Sequence, residues 1–291
     1  MHKWWLHRSG PCLDCPLPLL VIGSLRMGGG GKTPVTALVA KALAEQGLRV
    51  GILSYGIHGY DPRSPRMVMS NSSWKDSSEE AVWLKRTTGL PVWVTRDRPG
   101  AWQWLAKHGG IDVLVSDDGL EDPRLEQASR ILLDWGDRAS SIDDLFPVGR
   151  CRSLRQDHGN VLVWSIGDAQ AIGTDIHYSI EPILNAQGKQ APLRAGALVC
   201  AIGDPCRLER DLTGVGVTLH KVYNLRDHSL RVDRVVRRLL HCGEDIVYVT
   251  EKDAEKLGMD LASHPNIFRI RQRFEAHPGL RTSLFDIALH N

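Results

Sequence analysis

Residues 19 to 46 read LLVIGSLRMGGGGKTPVTALVAKALAEQ, and this stretch contains three kinds of local pattern in succession. Leu19 to Ile22 is a short apolar run just after a proline, which is typical of a buried strand. Pro34 to Gln46 repeats its apolar residues at the spacing of one helical face. The glycines between these two segments predict a loop, so the stretch as a whole predicts a strand, a loop and a helix in that order.

The loop contains Gly28-Gly29-Gly30-Gly31-Lys32-Thr33. Glycines allow backbone N–H groups to approach phosphate oxygens closely, and the amino end of a helix adds partial positive charge. Lys32 is placed to reach β and γ phosphates, and the Thr33 hydroxyl to bind Mg²⁺. A strict phosphate-binding loop has glycine where Arg26 stands, so a glycine-rich turn with an incidental lysine is the alternative. The flanking strand and helix favour nucleotide binding.

Later apolar runs repeat the strand pattern, with helical segments between some of them. These runs are Val50–Ser54, Val92–Thr95, Val113–Ser116 and Ile131–Asp134. Strands that alternate with helices favour a parallel sheet with helices on both faces. The predicted fold is therefore α/β, with a P-loop NTPase-like parallel sheet sandwiched by helices.

A second block of strands follows, with apolar runs at Leu198 to Ile202 and Ile246 to Thr250. Between the blocks, Tyr178 to Arg194 has few periodic apolar positions and contains glycine and proline, which predicts a linker. We therefore expect two domains. Residues 1–190 would form the P-loop nucleotide-binding domain, and residues 191–291 a smaller α/β domain that completes the active-site cleft.

The composition excludes some classes of function. With 42% hydrophobic residues among 291, the chain can bury one large core or two modest ones. The 36 basic and 34 acidic side chains nearly cancel, so no overall field indicates a nucleic-acid partner. Six cysteines without a cleavable hydrophobic signal segment before them predict reduced thiols in the cytoplasm.

The first fifteen residues carry two further features. Cys12 and Cys15 form a single CxxC, but structural zinc needs a second pair and redox chemistry needs a strand-to-helix context, so neither is favoured. Trp4 and Trp5 lie among basic residues, a mixture that suits a membrane headgroup region but also fits packing into a core. No apolar run approaches the roughly 20 residues that span a bilayer.

A pair of carboxylates follows one of the predicted strands. Val113 to Ser116 runs directly into Asp117-Asp118-Gly119. In open α/β sheets ligands bind at the carboxyl ends of the strands, and a carboxylate there could hold a metal opposite Thr33. The alternative is an ordinary Asp-Asp-Gly turn.

Together, the glycine loop and the acidic pair resemble motifs of the tetraacyldisaccharide 4′-kinases, which transfer the ATP γ-phosphate to the glucosamine 4′-hydroxyl of a lipid A precursor. The family stretch G-N-x-x-x-G-G-x-G-K-T-P is similar to residues 23–34. D-D-G-x-Q-x-x-R-L resembles residues 117–125. P-x-G-P-x-R-E resembles residues 147–153, and G-I-G-x-P resembles residues 201–205.

The likeness continues in the second block. The family's D-H-H resembles Asp227-His228-Ser229, and its T-E-K-D is kept as Thr250-Glu251-Lys252-Asp253. The motifs cover about residues 19 to 258 in one continuous order, which makes chance agreement a poor explanation although each motif is short.

The resemblance implies a lipid kinase with ATP and Mg²⁺ as cofactors. Gly28 to Thr33 would surround ATP, and Thr33 with Asp117 or Asp118 would bind Mg²⁺. Arg152 would be a further cation for phosphate or for the acidic substrate, and the alternative is a solvated arginine. The acceptor would be a lipid disaccharide. The protein would reach it by peripheral contact with the cytoplasmic face of the inner membrane, and no nucleic-acid partner is expected.

The resemblance also implies a catalytic base. In the family an aspartate of a D-E pair, one short helix before a T-G-x-P-V turn, acts as base with the histidine of D-H-H. Counting back from Thr88-Gly89-Leu90-Pro91-Val92 places Glu79-Glu80 at that pair, with His228 as the partner. The implied catalytic residues are Lys32, Glu79, Asp118 and His228.

This chain departs from the family pattern at several positions. Tyr55 stands where S-R-G-Y has arginine, Glu121 replaces the glutamine of D-D-G-x-Q, and Ser153 replaces the glutamate that ends P-x-G-P-x-R-E. Glu79 replaces the aspartate, and we do not expect the hydrophobic amino-terminal helix with which family members usually begin. Three interpretations follow: an active lipid kinase, a diverged paralogue that binds ATP without this transfer or phosphorylates another amphipathic sugar, or a regulatory or metal-delivering P-loop NTPase.

Overall fold

The computed structural model describes residues 15–26, 28–56, 64–136, 141–146, 148–149, 151–168, 171–192, 194–227 and 229–289. The strands are β1 Leu19–Gly23, β2 Val50–Tyr55, β3 Arg66–Met67, β4 Val92–Thr95, β5 Val113–Asp117, β6 Ser129–Asp134, β7 Leu162–Asp168, β8 Ile176–Ile180, β9 Leu184–Asn185, β10 Gly196–Cys200, β11 Leu219–Asn224, β12 Val247–Thr250, β13 Ile267–Ile270 and β14 Gln272–Ala276. The helices are α1 Lys32–Glu45, α2 Glu79–Thr88, α3 Arg98–His108, α4 Pro205–Gly214, α5 Val232–His241, α6 Glu251–Ala254, α7 Met259–Ala262 and α8 Pro278–Leu289.

The chain divides into two compact units. One comprises residues 1–177 together with 274–291, and the other comprises residues 178–273. The chain leaves the first unit within β8 and returns to it within β14. The sequence placed the join near residue 190 and assigned the carboxyl terminus to the second domain. The described division differs because residues 274–291 cluster with the first unit, a long-range relation that local patterns do not report.

The first unit contains a sheet in the order β14-β8-β7-β6-β1-β5-β2-β4-β3. The pairings from β7 through β6, β1, β5 and β2 to β4 are parallel, and the short β3 pairs antiparallel with β4. β1 and β5 are buried along their whole length, which explains why their sequences are nearly continuous apolar runs. The prediction of a mainly parallel sheet flanked by helices is confirmed.

Helix α1 is held by the apolar face that the sequence predicts. Val35, Val39 and Leu43 are buried, while Lys41 is exposed. Helix α3 also packs on the sheet, because Trp102 and Leu105 belong to a core cluster that includes β-strand residues. Burial of such faces, rather than helix propensity, supplies most of the stability of these helices.

The second unit is built around a sheet in the order β11-β10-β12-β13-β9. One core cluster includes Val232 and Val236 of α5, and another includes Leu208 and Leu212 of α4. The linker predicted at Tyr178 to Arg194 is wrong in part, because β8 extends to Ile180 and β9 pairs antiparallel with β13. Short strands of this kind carry too few residues for a visible period in the sequence.

Candidate active site

The glycine loop turns sharply before α1. Gly28, Gly29 and Gly31 adopt φ of 87°, 64° and 73°, a region that side chains with a Cβ rarely enter. Helix α1 begins at Lys32, two residues earlier than predicted, and in the described structure no side chain caps its amino end. The first N–H groups of this helix therefore have no side-chain cap, and helix starts of this kind are suited to binding an anion.

Neighbouring side chains hold the loop in place. A Cβ built on Gly30 would lie 2.4 Å from Ser24 Oγ, so only glycine fits this approach. Trp135 Nε1 donates a hydrogen bond of 3.1 Å to the Gly30 carbonyl oxygen, and the Trp135 and Phe274 rings meet edge to face at 6.3 Å between centroids. A Cβ on Gly31 would lie 3.2 Å from the Phe274 ring. Packing thus fixes the loop before any ligand arrives.

Sheet register brings the acidic pair to the loop. β1 and β5 pair in parallel with Ile22 opposite Asp117, and the Asp118 N–H donates a hydrogen bond of 2.9 Å to the Ile22 carbonyl oxygen. Thr33 Oγ1 donates to Asp117 Oδ2 at 3.0 Å, and Lys32 Nζ lies 3.7 Å from Asp118 Oδ2. The predicted meeting of the glycine loop with the paired aspartates is confirmed.

Asp117 is a buried carboxyl whose ionised form is destabilised. Burial raises its pKa to about 6, and the carboxylates of Glu80 and Asp118 add to this rise against the opposing effects of Lys32 and Thr33. The Thr36 hydroxyl also lies within 3.5 Å of Asp117 Oδ1. A cation at this position would relieve the unfavourable charge.

Asp118 has the opposite character. Burial alone would raise the pKa of the Asp118 carboxyl. Lys32, Arg152 and Arg98 outweigh that effect and hold this pKa below its ordinary value. Asp118 is also the one non-glycine residue with positive φ, 73°, among those described. Such strain is found where surrounding contacts fix a functional residue.

Two arginines approach the acidic pair. Arg152 Nη1 donates to Asp118 Oδ2 at 3.1 Å, so the arginine expected near the phosphates lies beside the loop. Arg98 Nη2 donates to the Asp117 carbonyl oxygen at 3.0 Å, and the sequence reasoning missed this residue. Its signal was its position just after β4, at the same carboxyl edge of the sheet. Arg98 also lies over the Tyr55 ring, 5.6 Å from its centroid. Tyr55 is the position at which the family motif has arginine.

The residues present fit a nucleotide with a divalent cation. In the described part of the chain no group of three or more His, Cys, Asp or Glu side chains is arranged to hold a metal ion. Mg²⁺ in nucleotide sites needs only one or two carboxylates because phosphates and waters complete its shell. Thr33 and Asp117 provide a hydroxyl and a poorly compensated carboxyl at the loop, which is the donor set such a site needs.

The residues implied as base and partner are placed only in part. Glu79 is the first residue of α2 and is buried, and Ser78 Oγ caps this helix by accepting from the Ala81 N–H at 3.1 Å. The adjacent Glu80 is close enough to raise the pKa of Asp117. His228 lies outside the described residues, so its predicted pairing with Glu79 stays a prediction.

Most of the residues in the predictions about the amino terminus lie outside the part of the chain that the structure describes. Trp4, Trp5 and Cys12 are not among the described residues, whereas the Cys15 thiol lies 3.9 Å from the Trp102 carbonyl oxygen. Among the helices described, none combines the length and apolarity that crossing a bilayer requires.

Comparison with known proteins agrees with the motifs. The family described as tetraacyldisaccharide-1-P 4′-kinase matches residues 6–288. The chain is 34% identical over 269 residues to the tetraacyldisaccharide 4′-kinase of Alkalilimnicola ehrlichii, covering 87% of this chain and 76% of that protein. It is 33% identical over 259 residues to the Halorhodospira halophila protein of the same name, with the same coverages.

A solved structure shares the fold. The crystal structure of Aquifex aeolicus LpxK in complex with ATP superposes with a TM-score of 0.62 at 20% identity, covering 94% of this chain and 89% of that one. At this identity the likeness concerns the fold alone.

Proposed function

This chain belongs to the tetraacyldisaccharide-1-phosphate 4′-kinase family, and we propose that it transfers the γ-phosphate of ATP to the 4′-hydroxyl of a tetraacyldisaccharide 1-phosphate, a lipid A precursor, giving lipid IVA. The observation that carries this proposal is the contact between loop and acidic pair, with Thr33 Oγ1 at 3.0 Å from Asp117 and Lys32 Nζ at 3.7 Å from Asp118. A triphosphate needs both the cradle and the cation-binding carboxylates in one place.

The loop and Lys32 would bind the phosphates. The N–H groups of Gly28 to Gly31 and the start of α1 would form an anion-binding concavity, and Lys32 would add a full positive charge. On binding ATP, Lys32 would exchange its contact with Asp118 for phosphate oxygens. Arg152 would approach the same oxygens, since a guanidinium can bind two at once.

Thr33 with Asp117 or Asp118 would hold Mg²⁺. When bound, this ion neutralises charge on the transferred phosphoryl group. The raised pKa of Asp117 supports this assignment, because the carboxyl is buried beside two other carboxylates and gains from a cation.

Glu79 is our candidate for the base, with His228 as its partner. In the transfer, the base takes the proton of the 4′-hydroxyl, that oxygen bonds to the γ-phosphorus, and the bond to the β–γ bridging oxygen breaks to release ADP. The burial of Glu79 and the place of Glu80 near Asp117 support a position of this helix start close to the phosphates.

The acceptor is a lipid, so we also propose that the protein works by peripheral contact with the cytoplasmic face of the inner membrane. Trp4 and Trp5 among basic residues support this placement through their composition.

Radiolabel transfer from [γ-³²P]ATP to tetraacyldisaccharide 1-phosphate in detergent tests the function. The expected result is labelled lipid that retains its label on the 4′ position after mild acid removes the 1-phosphate. ATP binding without labelled lipid would favour the diverged paralogue, and hydrolysis stimulated by a transition metal without lipid would favour a metal-delivery NTPase.

The base assignment has its own test. Glu79→Gln should lower turnover by about 10²- to 10⁴-fold while leaving ATP affinity unchanged, since only proton transfer is lost. Glu126→Gln, on the exposed surface of the same unit, is the matched control and should retain full activity. If Glu79→Gln turns over normally while Asp118→Asn does not, the base lies elsewhere.

A further inference from the structure

Two departures from the family motifs meet at one arginine. Glu121 stands where D-D-G-x-Q has glutamine, and Ser153 stands where P-x-G-P-x-R-E has glutamate. The two changes leave the formal charge of this pair of positions the same, because one carboxylate is gained and one is lost. Arg152 immediately precedes Ser153 in the sequence, and its Nε is 3.4 Å from Glu121 Oε1.

The backbone fixes where Arg152 stands. Its backbone N–H donates to the Leu25 carbonyl oxygen at 2.8 Å. The preceding residue, Cys151, forms an antiparallel β-bridge with Arg26. The arginine is thus tied to the segment that leads from β1 into the glycine loop. Its side chain meets the loop after β5, where Asp118 and Glu121 lie.

Ser153 is engaged elsewhere. Its Oγ lies 2.7 Å from Nε2 of the buried His158, whose pKa burial lowers, with Arg130 contributing in the same direction. The Ser153 hydroxyl is uncharged, so it supplies no negative charge to Arg152. Glu121 does, because its carboxylate lies beside the guanidinium, with Oε1 3.4 Å from Arg152 Nε.

We propose that Glu121 is a positioning residue for Arg152, and that it supplies across the loop the carboxylate that the family motif carries at position 153. Asp118 takes Nη1 and Glu121 faces Nε, and these two contacts leave the third nitrogen, Nη2, for a phosphate oxygen. Glu121 Oε1 and Arg152 Nε are buried and make no hydrogen bond in the described structure. The distance between Arg152 Nε and Glu121 Oε1 can therefore shorten as Arg152 turns toward a bound phosphate.

This inference rests on the proposed function. It is tested by removing the carboxylate at position 121 and introducing one at position 153, where the family motif has it. Glu121→Gln should lower kcat for lipid phosphorylation by about tenfold with little change in KM for the lipid, because the coupling acts through the arginine at the phosphate. Adding Ser153→Glu to Glu121→Gln should restore kcat to within about threefold of the parent. Adding Ser153→Gln instead is the matched control, with the same size and no charge, and should restore nothing.

Two results would overturn the proposal: a Glu121→Gln enzyme as active as the parent, or a Glu121→Gln/Ser153→Glu enzyme no better than its Ser153→Gln counterpart. Thermal unfolding of each variant checks that the fold is intact.

Affinity for a non-hydrolysable ATP analogue, measured by calorimetry on the same variants, separates this proposal from the function itself. If the parent protein phosphorylates no lipid, the function fails. In that case analogue affinity alone tests the positioning role: a loss in Glu121→Gln that Ser153→Glu repairs would support it, and unchanged affinity would refute it.

Discussion

Asp117 and Asp253 are both buried aspartates next to the carboxyl end of a parallel strand, one in each unit. Asp253 is fully compensated: it accepts from Thr250 Oγ1 at 2.8 Å, from the Ala201 N–H at 2.9 Å and from Lys256 Nζ at 3.1 Å. Asp117 has hydroxyl groups as its hydrogen-bond donors and lies near two further carboxylates.

We propose that the difference separates a structural carboxylate, Asp253, from a cation-binding one, Asp117. A buried charge is tolerated when a cation and donors inside the protein satisfy it, as at Asp253. Where the protein leaves the charge poorly satisfied, the missing cation has to come from outside, as we propose for Asp117. Substitutions at the two sites should therefore affect different measurements.

The largest effect is expected at the lysine of the first unit. Lys32→Ala should lower phosphate transfer by about 10³-fold or more, because a charge aimed at the developing phosphoryl charge is lost in a water-poor site. The melting temperature should fall only modestly, because Arg152 and Arg98 still compensate the Asp118 carboxylate. Lys41→Ala, on the exposed face of the same helix, is the control, and equal activity of the two variants in the transfer assay would contradict the assignment.

The lysine of the second unit should act on stability instead. Lys256→Met keeps the length of the side chain but leaves Asp253 buried without its cation, which should lower the free energy of unfolding by about 3–5 kcal/mol. Lys252→Met removes a partly exposed lysine 3.6 Å from Asp227 and should cost less than about 1 kcal/mol. Urea denaturation measures both, and similar losses would remove the contrast between buried and surface pairs.

The smallest effect is expected at Asp117, where a substitution should raise the free energy of unfolding. With its pKa raised to about 6, folded Asp117 binds a proton more tightly than the unfolded chain does, so its ionisation makes the fold less stable as the pH rises from about 4 through about 6. In EDTA and without nucleotide, Asp117→Asn should therefore stabilise the protein by about 2–3 kcal/mol at pH 7.5.

The same variant contains its own control, because below about pH 4 the carboxyl is neutral and the two proteins should unfold alike. Denaturation at several pH values gives the difference curve. A constant difference across this range, or a loss of stability at pH 7.5, would show that Asp117 is satisfied internally as Asp253 is.

The sequence by itself determined the elements that build the site. The apolar run at Leu19 to Ile22, the glycines of the loop and the carboxylates after β5 are local patterns, and parallel strands bring such ends to one edge. Lys32, Thr33, Asp117 and Asp118 could therefore be grouped before any coordinates existed. The family motifs added Arg152 beside them, and its 3.1 Å contact with Asp118 agrees.

Only the tertiary structure decided how charge is distributed among these residues. Two adjacent aspartates have pKa values shifted in opposite directions because Lys32, Arg152 and Arg98, from other segments, approach Asp118, whereas burial and the Glu80 carboxylate raise the pKa of Asp117. It likewise placed Phe274 over Gly31 and the chain after residue 273 in the first unit. Periodicity reports which face of an element is apolar, but electrostatic energies depend on distances between segments that a linear pattern does not contain.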